Sequence, residues 1–105
     1  MRFENEKGTN PEELVAAAHA ACFSMALSMI LGDAGMKAES INTKATVTLE
    51  QVGAGFAVTA SALSTQVKIP NADKAAFQKA AEAAKSGCPI SKLLNATITM
   101  DATLV

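Results

Sequence analysis

Two hydrophobic periods alternate along this chain, and each change of period marks the boundary of an element. From residue 11 to about residue 31 apolar positions recur at spacings of three and four: Leu14, Ala18, Cys22, Met25 and Met29 form one such series, which predicts a helix with that stripe buried. Ala17, Ala21 and Ser28 form a small-residue series on another face, where close approach is possible. The start is strongly signalled. Asn10 is placed to cap the helix, Pro11 suits its first position, and Glu12 and Glu13 sit in the first turn, where carboxylates favour the helix dipole. Gly32 and Gly35 supply the stop near Leu31.

The period then falls to two. In "NTKATVTLEQV", residues 42–52, Ala45, Val47 and Leu49 alternate with Thr46, Thr48 and Glu50, the pattern of a half-buried strand. "GAG" at 53–55 reads as a turn. The next run, Phe56 to Ile69, begins with Phe56 and Val58 in phase and continues with Leu63, Val67 and Ile69 out of phase, which predicts a bulge near Ala60 to Ala62 and a hairpin overall. A second helix is expected over Asp73 to Lys85, capped by Asp73 and ended by Gly87, then a short helix after Pro89. A last strand from Ala96 to Leu104 turns Ile98, Met100 and Leu104 inward. Helix, strand, strand, helix, strand is an α+β order, and without repeats or linkers the 105 residues are expected to form one domain.

Composition narrows the functions. A net charge of −1, Arg2 as the single arginine and no Trp or Tyr leave no basic, aromatic-studded surface, so nucleic acid is not expected as a partner. The apolar run from Leu14 to Leu31 is interrupted by His19, Ser24 and Ser28 and reads as a buried helix, not a membrane span; the charged and polar stretch Met1 to Asn10 reads as no secretory leader. Two cysteines and one histidine without close ligand spacing predict no metal site.

The two cysteines carry the candidate chemistry. Cys88, in "SGCPI", follows a helix-ending glycine and precedes a proline that opens the next helix, a position that lowers a thiol's pKa. Cys22 lies mid-helix and needs a cation brought from elsewhere. On residue type alone each is as readily a small buried hydrophobe. His19, one turn before Cys22, could act as its base, although packing or hydrogen bonding is its commoner role. Met25, Met29 and Met36 are expected as adaptable core.

"NPEELVAAAHAACF", with "GCPISKLL" placing a second cysteine 66 positions after the first, closely resembles the OsmC/Ohr family of thiol-dependent hydroperoxide reductases, and His19 before "AACF" resembles its OsmC branch. The resemblance covers essentially the whole chain. It implies a long central helix and a second helix packed on an antiparallel sheet, in an intertwined cytoplasmic homodimer. It implies a peroxidase that reduces organic hydroperoxides to alcohols in oxidative or osmotic stress. Cys22 would attack the peroxide and Cys88 would resolve the resulting sulfenic acid as a disulfide. Arg2 and Glu12 match the pair that holds the attacking thiolate, and an external dithiol or lipoylated protein supplies the electrons without a bound cofactor. Family members carry a three-stranded meander before the arginine, and this chain departs from that pattern by placing Arg2 next to Met1. Glu12 and Cys22 lie ten residues apart, about 15 Å along one helix, so either Arg2 bridges much of that distance or Arg2 and Glu12 serve the Cys22 of a partner chain, and the intertwined dimer that the resemblance implies favours the second. The alternatives are a catalytically silent α+β scaffold and a thiol-based redox sensor.

Overall fold

The computed structural model describes residues 11–105; Arg2 and the cap expected of Asn10 lie outside them. The element order is α1 (Pro11–Asp33), β1 (Ser40–Val52), β2 (Gly55–Lys68), α2 (Lys74–Gly87), α3 (Pro89–Leu93) and β3 (Thr97–Leu104). All the expected elements form, with ends shifted by one or two residues. α1 ends in a Schellman turn: Gly35 takes φ 79°, and the Met36 N–H reaches the Leu31 carbonyl at 2.8 Å.

β1 and β2 form a long antiparallel hairpin, and the bulge falls at Thr59, one residue before the expected stretch. Thr48 pairs with Ala60 and Leu49 with Val58, so Thr59 has no opposite number. Its hydroxyl donates to the Glu50 carboxylate at 2.5 Å. That single extra residue brings Val58 and the buried series Ser61, Leu63, Thr65 and Val67 onto the same face.

β3 runs parallel to β2, with Ser61 opposite Ile98 and Val67 opposite Leu104. The sheet, in the order β1-β2-β3, is therefore mixed and not antiparallel throughout. The cause is the connection: a chain that crosses over through α2 and α3 re-enters the sheet in the direction it left.

Both long helices pack on one side of this sheet. The core joins Phe23, Leu27 and Leu31 of α1 to Leu63 and Val67 of β2 and to Phe77, Ala80, Ala81 and Ala84 of α2. The expected stripe on α1 is overturned. His19, Phe23, Leu27 and Leu31, each four residues from the next, face the core, while Leu14, Met25 and Met29 are 60%, 73% and 67% exposed. Apolar and small residues surround this helix on every side, so periodicity offers several phases and packing selects one. By length and composition α1 could also cross a bilayer, yet its middle is committed to the sheet and to α2 and α3.

Candidate active site

The two thiols meet where α1, α2 and α3 converge. Phe77, Ala80, Ala81 and Ala84 carry one buried face along α2, and Cys88 continues it one turn further on. The residue before a proline is driven out of the helical region, and Cys88, at ψ 126°, has left it. Its own N–H still reaches the Ala84 carbonyl at 2.9 Å, and its carbonyl accepts from the Lys92 N–H at 3.1 Å. Cys88 therefore ends α2 and begins α3. Pro89 sets this stop; Gly87 is the last residue of α2, not a left-handed cap beyond it.

This corner aims the fully buried Cys88 sulfur at Cys22, which projects half-buried from α1. The thiols are free, and each acts on the other's ionisation. Burial, then the contact with Cys88, pushes the Cys22 thiol above the ordinary thiol range against the opposing Ile90 N–H. Burial also pushes Cys88 up, but the donors around it, the Cys22 thiol, the Ser91 and Ile90 N–H groups and the Ser91 hydroxyl, outweigh it and bring Cys88 below that range. The first thiolate of the coupled pair thus rests on Cys88, in the sense its place before Pro89 predicts. Among the described residues, no cation acts on the Cys22 sulfur.

His19 turns away from the pairing with Cys22 that its spacing allowed. It is fully buried, with Nδ1 2.7 Å from the Ser61 hydroxyl on β2 and Nε2 2.7 Å from the Ser91 hydroxyl on α3. Burial holds its pKa below the usual histidine value. Ser61 and Ser91 carry no mark in the sequence, since they lie 42 and 72 positions from His19. A second hydroxyl chain, Ser24 to Thr43 to Thr65, crosses the same helix–sheet interface at 2.7 and 2.9 Å. No buried side-chain polar atom among the described residues lacks a partner.

Of the four expected site residues the structure brings two together. Glu12 stands ten residues before Cys22 on the unbroken α1, about 15 Å away along the axis, and lines shallow clefts with Ala45 and Val47 of β1 and with Phe56 and Val58 of β2. Arg2 lies outside the described residues. The large apolar residues of α1 near the site separate likewise: Phe23 is in the core, while Leu14, Met25 and Met29 face outward. No group of three or more His, Cys, Asp or Glu suited to a metal occurs among the described residues.

Comparison with known proteins identifies this arrangement. The chain is 57% identical over 100 residues to the peroxiredoxin OsmC of Escherichia coli strain K12, covering 95% of this chain and 70% of that protein. It is 31% identical over 98 residues to an organic hydroperoxide resistance protein of Xanthomonas axonopodis pv. citri, covering 92% and 67%. An OsmC-like protein of Vibrio cholerae superposes with a TM-score of 0.80 at 22% identity, over 90% of this chain and 64% of that one, a likeness of fold. The family model described as OsmC-like protein matches residues 4–103, and this chain belongs to that family.

Proposed function

We propose that this protein is a thiol peroxidase that reduces organic hydroperoxides to alcohols in defence against oxidative stress. One observation carries the reading: two free thiols, 66 positions apart in sequence, are brought by three helices near enough to act on each other's ionisation. The names of the relatives, peroxiredoxin and organic hydroperoxide resistance protein, support the same reaction class.

The Cys22 thiolate attacks the peroxide, the O–O bond breaks, and the alcohol leaves while Cys22 becomes a sulfenic acid. Cys88 then attacks the Cys22 sulfur, an S–S bond forms and water departs. An external dithiol, small or carried by a lipoylated protein, returns both cysteines to thiols by exchange. A reducing compartment such as the cytoplasm keeps the pair available between cycles.

Cys22 is the sulfur whose burial no neighbouring donor outweighs, so its ionisation calls for a cation. Arg2, oriented by Glu12, fills that role, and the distance along α1 between Glu12 and Cys22 supports a homodimer in which both act on the opposite subunit. The outward face of α1 supports the dimer. Leu14, Met25 and Met29 stand on it beside exposed Ala17, Ala18 and Ala21, an apolar strip with small residues that permit close helix contact. In that assembly the strip also walls the peroxide site with methionine and leucine, which favours organic over hydrogen peroxide.

Treating the reduced protein with one equivalent of cumene hydroperoxide and counting free thiols tests the reading. Rapid loss of both thiols supports the peroxidase; two thiols surviving the treatment leave the silent scaffold.

A further inference from the structure

The peroxidase reading leaves one buried, ionisable group without a task. His19 is the only histidine of the chain, it is fully buried, and both ring nitrogens are held at 2.7 Å by serines. One of those serines, Ser91, stands three residues after Cys88 in the turn of α3 that Cys88 opens, where its hydroxyl and N–H favour the Cys88 thiolate. Ser61, His19 and Ser91 thus form a hydrogen-bonded chain from the central strand to the turn that carries the resolving thiol.

We propose that His19 and Ser91 are positioning residues for the resolving step: Ser61 fixes the imidazole, His19 aims the Ser91 hydroxyl, and through that hydroxyl His19 takes the proton Cys88 must lose. The inference rests on the two-cysteine reading above.

The hydrogen-bond inventory gives the chain two consistent settings. With Cys88 as a thiol, its S–H donates to Ser91 Oγ, the Ser91 hydroxyl donates to His19 Nε2, and His19 Nδ1–H donates to Ser61 Oγ. With Cys88 as a thiolate, the Ser91 hydroxyl rotates to donate to sulfur and His19 Nε2–H donates to Ser91 Oγ. The Cys88 sulfur then attacks the sulfur of the Cys22 sulfenic acid, the S–S bond forms as the S–O bond breaks, and the leaving hydroxide recovers the proton as water. Cys88 is oxidised, the sulfenic sulfur is reduced, and no further oxidant is consumed. Burial disfavours a standing imidazolium, so His19 returns the proton instead of keeping it.

The groups acting on the Cys88 sulfur come from two elements: the Cys22 thiol from α1, and the Ile90 N–H, Ser91 N–H and Ser91 hydroxyl from α3. The nearby lysines do not act on it: Lys85 of α2 pairs with Glu82 at 3.3 Å, and Lys92 of α3 is exposed. Among the described residues Cys22 is therefore the one titrating neighbour, and a Cys22→Ser background removes it.

In that background the ultraviolet absorbance of the Cys88 thiolate, free of Trp and Tyr, is followed against pH. Adding Ser91→Ala is expected to raise the midpoint by on the order of one pH unit, Ser91→Thr to restore it, and His19→Gln to raise it without adding to the effect of Ser91→Ala. In chains that keep Cys22, Ser91→Ala is expected to slow disulfide formation at least about tenfold after one equivalent of cumene hydroperoxide, with sulfenic acid accumulating and its rate of formation unchanged. An unmoved midpoint in Ser91→Ala, or a shift that Ser91→Thr does not reverse, overturns the proposal. A wild-type chain that forms no sulfenic acid overturns the peroxidase reading instead, and the titration still decides whether Ser91 governs Cys88.

Discussion

Cys22 and Cys88 are neighbours close enough to shift each other's ionisation although they come from the middle of the first helix and the joint between the last two. A disulfide requires little backbone movement from such a start. Replacing either cysteine should therefore separate the two halves of the reaction. Cys22→Ser is expected to lower peroxide consumption to the uncatalysed background, whereas Cys88→Ser should consume one equivalent and stop at a trappable sulfenic acid. Mass spectrometry of the trapped adducts distinguishes the two; a sulfenic acid on Cys88 in the Cys22→Ser chain, with none on Cys22 in the Cys88→Ser chain, would reverse the roles.

His19 makes the fold sensitive to acid. Burial holds its folded-state pKa below the ordinary histidine value of 6.5, so the unfolded chain binds the proton more readily. The stability from burying a neutral imidazole is fully present above 6.5 and is lost as pH falls from there through the lower folded-state value. Thermal melts across that window are expected to show a falling Tm in wild type and a flatter profile in His19→Gln. Equal slopes in the two proteins would show that His19 does not set the acid limit.

The two faces of α1 should respond differently to truncation. Leu27 is fully buried against β2 and α2, and Leu27→Ala is expected to cost about 2–5 kcal/mol, read as a lowered denaturation midpoint. Met25 and Met29 are mostly exposed within one chain. A Met25→Glu, Met29→Glu double variant should leave the subunit folded by circular dichroism and shift sedimentation from dimer to monomer. A dimer that survives both charges would place the interface on another surface.

What could be read ahead of the structure was what local chemistry controls. Asp73 caps α2 through the Ala75 N–H, Cys88 and Pro89 divide two helices, and the change of phase between Val58 and Leu63 marks a bulge. The phase of α1 was not legible, because a helix apolar on every side has no contrast to encode it. Nor was the direction of β3, which depends on the path through α2 and α3, not on any residue within the strand. Ser61 and Ser91 were invisible for a similar reason. A serine becomes part of a site through what it faces, and these two face a histidine dozens of positions away.

Glu12 and Cys22 are fixed at opposite reaches of the described site by one rigid element, and that fixes how activity can be restored. α1 is continuous from Pro11 to Asp33, so ten residues place about 15 Å of helix between them, and no side-chain rotation of Glu12 closes that gap. If the carboxylate orients Arg2 across a dimer interface, each active site draws Cys22 and Cys88 from one subunit and Arg2 and Glu12 from the other. Cys22→Ser homodimers and Glu12→Ala homodimers are then both impaired, for different reasons. A mixed dimer contains one site with both lesions and one with neither. Unfolding and refolding an equimolar mixture, in which half the dimers are mixed, should recover about a quarter of the wild-type rate of peroxide reduction per subunit, and Arg2→Ala should substitute for Glu12→Ala in the mixture. A mixture no more active than the average of its two parents would return Arg2 and Glu12 to the subunit that carries the attacking cysteine.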